Sequence, residues 1–200
     1  MGSDSSLVAT AIPPEERLNV FALVIYIPGP LGKFLDDLRR KLVPGCNPHA
    51  HVSLLPPRPL QVDWPEASDQ VRAVLDRWDP FEIELTGVRV FPETEVIYIE
   101  VGDGASELCR MHVAMNTGRL EYRDPFPYHP HITLAQELPS ERVTEINQLA
   151  QRLWSEFPGP RRFAADRAVF VQNSRSNCWI DLAEYELGGR ASEILRSPLG

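Results

Sequence analysis

Four of the five histidines of this chain fall in two matched hexapeptides. Residues 49–54 read His-Ala-His-Val-Ser-Leu and residues 129–134 read His-Pro-His-Ile-Thr-Leu, so the frame His-x-His-apolar-(Ser/Thr)-Leu occurs twice, 80 residues apart. Histidine is the side chain whose unperturbed pKa lies near neutrality, and a matched pair suits one proton taken and one given. On a strand, alternate side chains share a face. His51 and Ser53 therefore point one way and Val52 and Leu54 the other; His131 and Thr133 stand likewise against Ile132 and Leu134. Two such strands facing each other enclose two imidazoles and two hydroxyls. That set fits displacement at a cyclic phosphate. A neutral imidazole takes a proton from attacking water, an imidazolium protonates the departing sugar oxygen, and the hydroxyls hydrogen-bond the non-bridging oxygens. Each imidazole would contribute about 10²- to 10⁴-fold, and the scheme needs no metal.

The paired motifs, the second set in Tyr128-His129-Pro130-His131-Ile132-Thr133-Leu134, resemble those of the two-histidine (2H) phosphoesterase superfamily. Within it they look most like the bacterial 2'-5' RNA ligase-like, cyclic phosphodiesterase group. The resemblance implies a bilobal α+β fold around a central cleft. It implies hydrolysis of 2',3'-cyclic or related 2'-5' phosphodiesters on RNA ends or nucleotides, in some members with reverse 2'-5' ligation, without a cofactor. By matching position, His51 and His131 are the acid–base pair, and Ser53 and Thr133 bind the phosphate. Two stretches depart from the RNA-acting pattern. Leu55-Pro56-Pro57-Arg58-Pro59 stands where apolar-apolar-Gly is frequent, and Ala135-Gln136-Glu137 where an arginine is frequent. With the acidic balance, these weaken the case for an RNA substrate and leave the quartet untouched.

Around the quartet, Arg58, His49, His129 and Tyr128 are candidate substrate contacts. Arg58 could reach a phosphate, and a tyrosine could stack on a base. The blander roles are a solvated loop arginine, loop packing for the two upstream histidines, and loop anchoring for Tyr128. Two other classes of function fit parts of the pattern. Two His-x-His pairs could offer four imidazoles to zinc or another transition metal, making a metal-dependent hydrolase, although the hydroxyls would then lack a purpose. A non-catalytic module could bind a nucleotide or RNA end, although arginine and lysine would serve it better. His112, beside Met111 and Met115 on a helical face, reads as core or core boundary.

The bulk of the chain narrows the setting. With 28 acidic against 20 basic residues, the net charge is −8 and the pI about 5.2, which argues against coating long nucleic acids. A nucleotide or a short RNA end remains a fitting partner. There is no run of about 18 apolar residues to cross a membrane, and the start lacks the basic and apolar regions of a signal peptide. Cys46, Cys109 and Cys178 are widely spaced and odd in number, which predicts free thiols in a reducing cytoplasm. Nothing in the sequence indicates more than a monomer.

The elements that must position the motifs follow from periodicity. Strands are predicted over Asn19–Pro28, His51–Leu55 (ended by Pro56-Pro57), Phe81–Phe91, Glu95–Val101, His131–Ala135, Phe163–Gln172 and Cys178–Leu187. Helices are predicted over Leu31–Leu42, Glu66–Trp78, Ala105–Asn116 and Ser140–Phe157, the last with Ser140 as N-cap. The order strand, helix, motif strand, helix, strand comes roughly twice. It predicts an α+β fold of two pseudo-symmetric lobes, mainly antiparallel sheet with flanking helices, whose motif strands meet at a central cleft. Residues 1–18 are expected to be a disordered lead or cloning remnant, 19–188 the single bilobal domain, and 189–200 a frayed tail.

Overall fold

A computed structural model of the chain describes residues 12–46 and 49–188. The elements run β1 (Arg17–Tyr26), α1 (Gly29–Leu42), β2 (His51–Arg58), α2 (Trp64–Leu75), β3 (Phe81–Val90), β4 (Ile97–Val101), α3 (Ala105–Met115), β5 (His131–Ala135), α4 (Ser140–Ser155), β6 (Arg162–Ala165), β7 (Arg167–Ser174) and β8 (Trp179–Glu186). Among the described residues, eight strands form two four-stranded sheets, ordered β2-β1-β7-β8 and β5-β4-β3-β6. Every pairing is antiparallel.

The predicted duplication is visible in this order. In each lobe a strand is followed by a helix and then by the motif strand, which turns back to pair with the first strand: β1-α1-β2 in one, β4-α3-β5 in the other. Both motif strands are thereby edge strands, and they meet where the two lobes adjoin. One continuous core underlies both. Val52 and Leu54 from β2 and Ile132 and Leu134 from β5 are fully buried with Leu35 and Leu38 of α1, Met111 of α3 and Ile99 of β4. The apolar positions of the two motifs thus bury the backs of the strands that present the histidines.

Several boundaries differ from the sequence expectation. β2 does not stop at Pro56-Pro57 but runs on to Arg58. The pairing skips from Leu23↔Leu55 to Phe21↔Arg58, so the prolines sit in a bulge on an edge strand, where a missing N–H costs no ladder bond. Phe163–Gln172 is two strands rather than one, broken at Asp166; β6 joins the second sheet and β7 the first. α1 starts at Gly29 rather than Leu31, with Pro30 in its first turn, where proline's absent N–H is no loss. Ser140 does not cap α4: Pro139 holds that position, and the Ser140 hydroxyl donates to Glu95 at 2.6 Å. The folded chain also begins earlier than residue 19, with a 3₁₀ turn at Pro14–Glu16 leading into β1 at Arg17. The rest of the predicted lead, residues 1–11, and the predicted tail, 189–200, lie outside the described residues.

Candidate active site

The two lobes place the quartet in matching frames. On β2, His51 lies opposite Tyr26 and Ser53 opposite Val24; on β5, His131 lies opposite Glu100 and Thr133 opposite Tyr98. All four side chains are partly buried, while the residues between them are fully buried. The hydrogen bonding repeats as well. His51 Nδ1 lies 2.7 Å from the carbonyl oxygen of His49, and His131 Nδ1 lies 2.7 Å from that of His129. A carbonyl only accepts, so each Nδ1 carries the proton and donates it. In the neutral ring this leaves Nε2 as the bare, basic nitrogen. The His-x-His spacing therefore serves orientation: the upstream histidine contributes its backbone.

Both imidazoles are shifted toward neutrality. Burial pushes His51 down to about 4, only partly offset by its bond to the His49 carbonyl, and the charges of Arg39, His49 and His131 depress it further. His131 is lowered by burial, again against the carbonyl bond, with only His129 adding a like charge.

A second ring of contacts holds the frame. Tyr128 donates its hydroxyl to the carbonyl of Ser53 at 2.8 Å and stacks on His112, with centroids 3.9 Å apart and planes 2° apart. His112 is buried, and its Nδ1 lies 2.8 Å from the Leu54 carbonyl, so the core role expected for it holds. Phe91 and Tyr98 stack at 3.9 Å and meet His131 edge-on at 5.0 and 5.4 Å. His129 sits edge-on to the same two rings, with Nε2 3.8 Å from the Glu100 carboxylate. His49 stacks on Tyr26 at 3.6 Å, and Tyr26 donates to Asp181 at 2.7 Å.

Arg58 is a correction. It is 2% exposed, and its guanidinium is bonded to Asp124 (2.9 Å), Asn116 (2.7 Å) and the carbonyls of Leu120 and Pro56. No N–H fork remains to meet a phosphate. The residue ties the end of β2 to the segment that leads into Tyr128 and the second motif.

A cavity of about 530 Å³ opens beside the quartet. Ser53, His131 and Thr133 line it, together with Tyr128 and His129. Phe91, Glu93, Phe126 and Gln136 complete its wall, and no motif pointed to them. The available signals were the Pro92-Glu93-Thr94 hairpin turn, the proline-rich approach to the second motif and the departure at Gln136. Among the described residues, no three His, Cys, Asp or Glu side chains converge as metal ligands, so the two His-x-His pairs do not form a four-imidazole cage. No helix among those residues is long and apolar enough to cross a membrane.

Known structures share this fold. The structure of Escherichia coli LigT in complex with 3'-AMP superposes with a TM-score of 0.58 at 15% identity, covering 86% of this chain and 98% of that one. A Thermus thermophilus protein, TT0787, gives 0.58 at 16%, covering 84% and 98%. In sequence, a candidate phosphoesterase of Geobacillus sp. strain WCH70 is 26% identical over 153 residues, 72% of this chain and 86% of that protein. One from Oceanobacillus iheyensis is 29% identical over 82 residues, 40% of this chain, which here spans about half the length of its relative (48%). The family model described as the 2'-5' RNA ligase superfamily matches residues 27–177, from the end of β1 to the β7–β8 turn and across both motifs. With most of its length inside that match, this chain belongs to the 2'-5' RNA ligase superfamily.

Proposed function

We propose that the chain is a metal-independent phosphodiesterase that hydrolyses a 2',3'-cyclic phosphate, or a related 2'-5' phosphodiester, by paired-histidine catalysis. The observation that carries this reading is the pair of equal 2.7 Å bonds from Nδ1 to the carbonyl two residues upstream. They leave two basic Nε2 atoms, one on each motif strand, beside two hydroxyls.

The roles can be divided. His51 is the more strongly depressed imidazole, because the charges of Arg39 and His131 add to its burial. It stays neutral and serves as the base. His131 lacks such a cation, and a bound phosphate anion raises its pKa until Nε2 holds a proton. Water attacks phosphorus as His51 Nε2 takes its proton. The bond from phosphorus to one sugar oxygen breaks, and His131 Nε2 protonates that oxygen, giving a phosphomonoester. Ser53 and Thr133 hydrogen-bond the non-bridging oxygens and hold the phosphate in line. With a sugar 5'-hydroxyl in place of water, the same steps open a cyclic phosphate into a 2'-5' ester: His51 takes the hydroxyl proton, the bond from phosphorus to O3' breaks, and His131 protonates O3'. Small nucleotides as ligands are supported by the structures of E. coli LigT with 3'-AMP and with phosphate.

The test is turnover of 2',3'-cyclic nucleotides and of a short RNA with a cyclic end in EDTA, with His131→Ala as control. Hydrolysis in chelator that disappears in the variant is expected. Activity lost to EDTA and restored by a divalent metal would replace this reading with metal-dependent hydrolysis, and tight binding without turnover would replace it with a binding module.

A further inference from the structure

The cavity wall carries a charge pattern that bears on which phosphodiester fits. Three of its residues belong to the quartet and would hold one phosphate. Among the described residues, the rest of the lining holds no lysine or arginine, and its acidic members are Glu93 and Asp124. Asp124 is neutralised by Arg58, and that pairing occupies the Arg58 guanidinium, while Arg39 acts on His51 and is not part of the lining. Glu93 makes no ion pair among the described residues. Gln136 occupies part of the wall in the Ala135-Gln136-Glu137 stretch, where a cation would have favoured further phosphates. Arg123 adjoins Asp124 in the chain but is not part of the lining.

The same wall is built for an uncharged ring. Phe126 is 53% exposed although flanked by Pro125 and Pro127, which limit its backbone freedom. It thus presents an aromatic face at little entropic cost. Phe91 cannot play that part alone, because one of its faces is covered by Tyr98. An open aromatic at the mouth of a largely apolar cavity stacks flat, neutral groups and is indifferent to phosphate.

We infer that this site selects substrates with a single phosphate: a nucleoside cyclic phosphate with a free 5'-hydroxyl, its base against Phe126, with Glu93 opposing any second phosphate. The inference rests on the proposed phosphodiesterase reading and narrows its substrate class from RNA ends to mononucleotides. Like charges set close together across a binding surface are discriminating. A preference of about tenfold or more against a 5'-phosphorylated counterpart is therefore expected.

Two readouts keep this apart from the reaction itself. Calorimetric binding of adenosine 2'-monophosphate and adenosine 2',5'-bisphosphate needs no turnover. The monophosphate should bind about tenfold more tightly, Glu93→Lys should narrow the gap, and Phe126→Ala should weaken both ligands about equally. Equal affinities, tighter bisphosphate, or a gap unmoved by Glu93→Lys would overturn the inference and leave the hydrolysis untouched. In turnover, adenosine 2',3'-cyclic phosphate should exceed its 5'-phosphorylated form and a short RNA with a cyclic end in kcat/KM. Equal or higher values for the charged substrates would overturn it as well. Selective binding without hydrolysis would instead defeat the proposed function and support the selectivity.

Discussion

The Tyr128 hydroxyl donates to the main-chain carbonyl of Ser53 at 2.8 Å, so a side chain just ahead of the second motif grips the backbone of the first. The two motifs, 80 residues apart, are coupled through one phenol. Its ring lies flat on His112, whose Nδ1 donates to the very next carbonyl along β2, that of Leu54. Tyr128→Phe keeps the stack and removes the bond. It should cost about 1 kcal/mol of stability in urea titration. It should also lower kcat more than it raises KM, because the distance between Ser53 and Thr133 is relaxed while the cavity wall remains. An unchanged kcat would show that the grip serves folding only.

Replacing His51 or His131 by Ala should each reduce kcat by about 10²- to 10⁴-fold with little change in the thermal midpoint, since both rings lie at the cleft rather than in the core. Because the two act as one unit, the double variant should be scarcely worse than either single one. Strictly multiplicative losses would mean that the histidines act in separate steps.

The pH dependence follows from the two depressed imidazoles. The base must be neutral, and His51 remains so down to about 4, so the acid limb of kcat/KM should fall only below that region. The acid must be protonated, and His131 in the free enzyme is lowered from its ordinary value by burial. The alkaline limb of kcat/KM should then begin on the acid side of about 6.5. Bound phosphate favours the imidazolium, so the alkaline limb of kcat should lie at higher pH than that of kcat/KM. Stability carries the matching sign. The unfolded chain binds more protons at these two positions, so both histidines subtract stability as pH falls from about 6.5, His51 until about 4. Profiles of kcat and kcat/KM with coincident alkaline limbs would contradict the division of roles.

Much of this was legible in the chain. The alternation of His51 and Ser53 against Val52 and Leu54 marks a strand with one wet and one dry face, and both motif strands have that form. The repeated order of elements carried the two-lobed sheet architecture. What could not be read depends on contacts distant in sequence. Phe91 and Glu93 reach the cavity because the β3–β4 hairpin folds over the second motif, and Phe126 because the proline-rich loop faces that hairpin. Asp166 divides β6 from β7 where Asp166-Arg167, two exposed residues in succession, shift the alternation, and only the pairings show that the two strands serve different sheets. By type the upstream histidines suit loop packing or a substrate contact, and neither reading shows that their carbonyls are the groups that position His51 and His131.

Arg58 gives the sharpest contrast between a reading by type and a reading by place. An arginine after a phosphate-binding strand suggests a phosphate contact, yet this one is buried against Asp124, Asn116 and two main-chain carbonyls. Arg58→Leu would strand the partly buried Asp124 carboxylate and unpin the segment that delivers Tyr128. It should cost about 3–5 kcal/mol in urea unfolding. Asp124→Leu alone should be similarly harmful, while the double Leu variant should recover part of the loss, because no unpaired charge is left behind. Activity should decline in step with the loop's order, in kcat rather than in affinity for phosphate. If Arg58→Leu instead kept full stability and lost only phosphate affinity, the guanidinium would have to reach the substrate after all, and the burial described for it would not hold in solution.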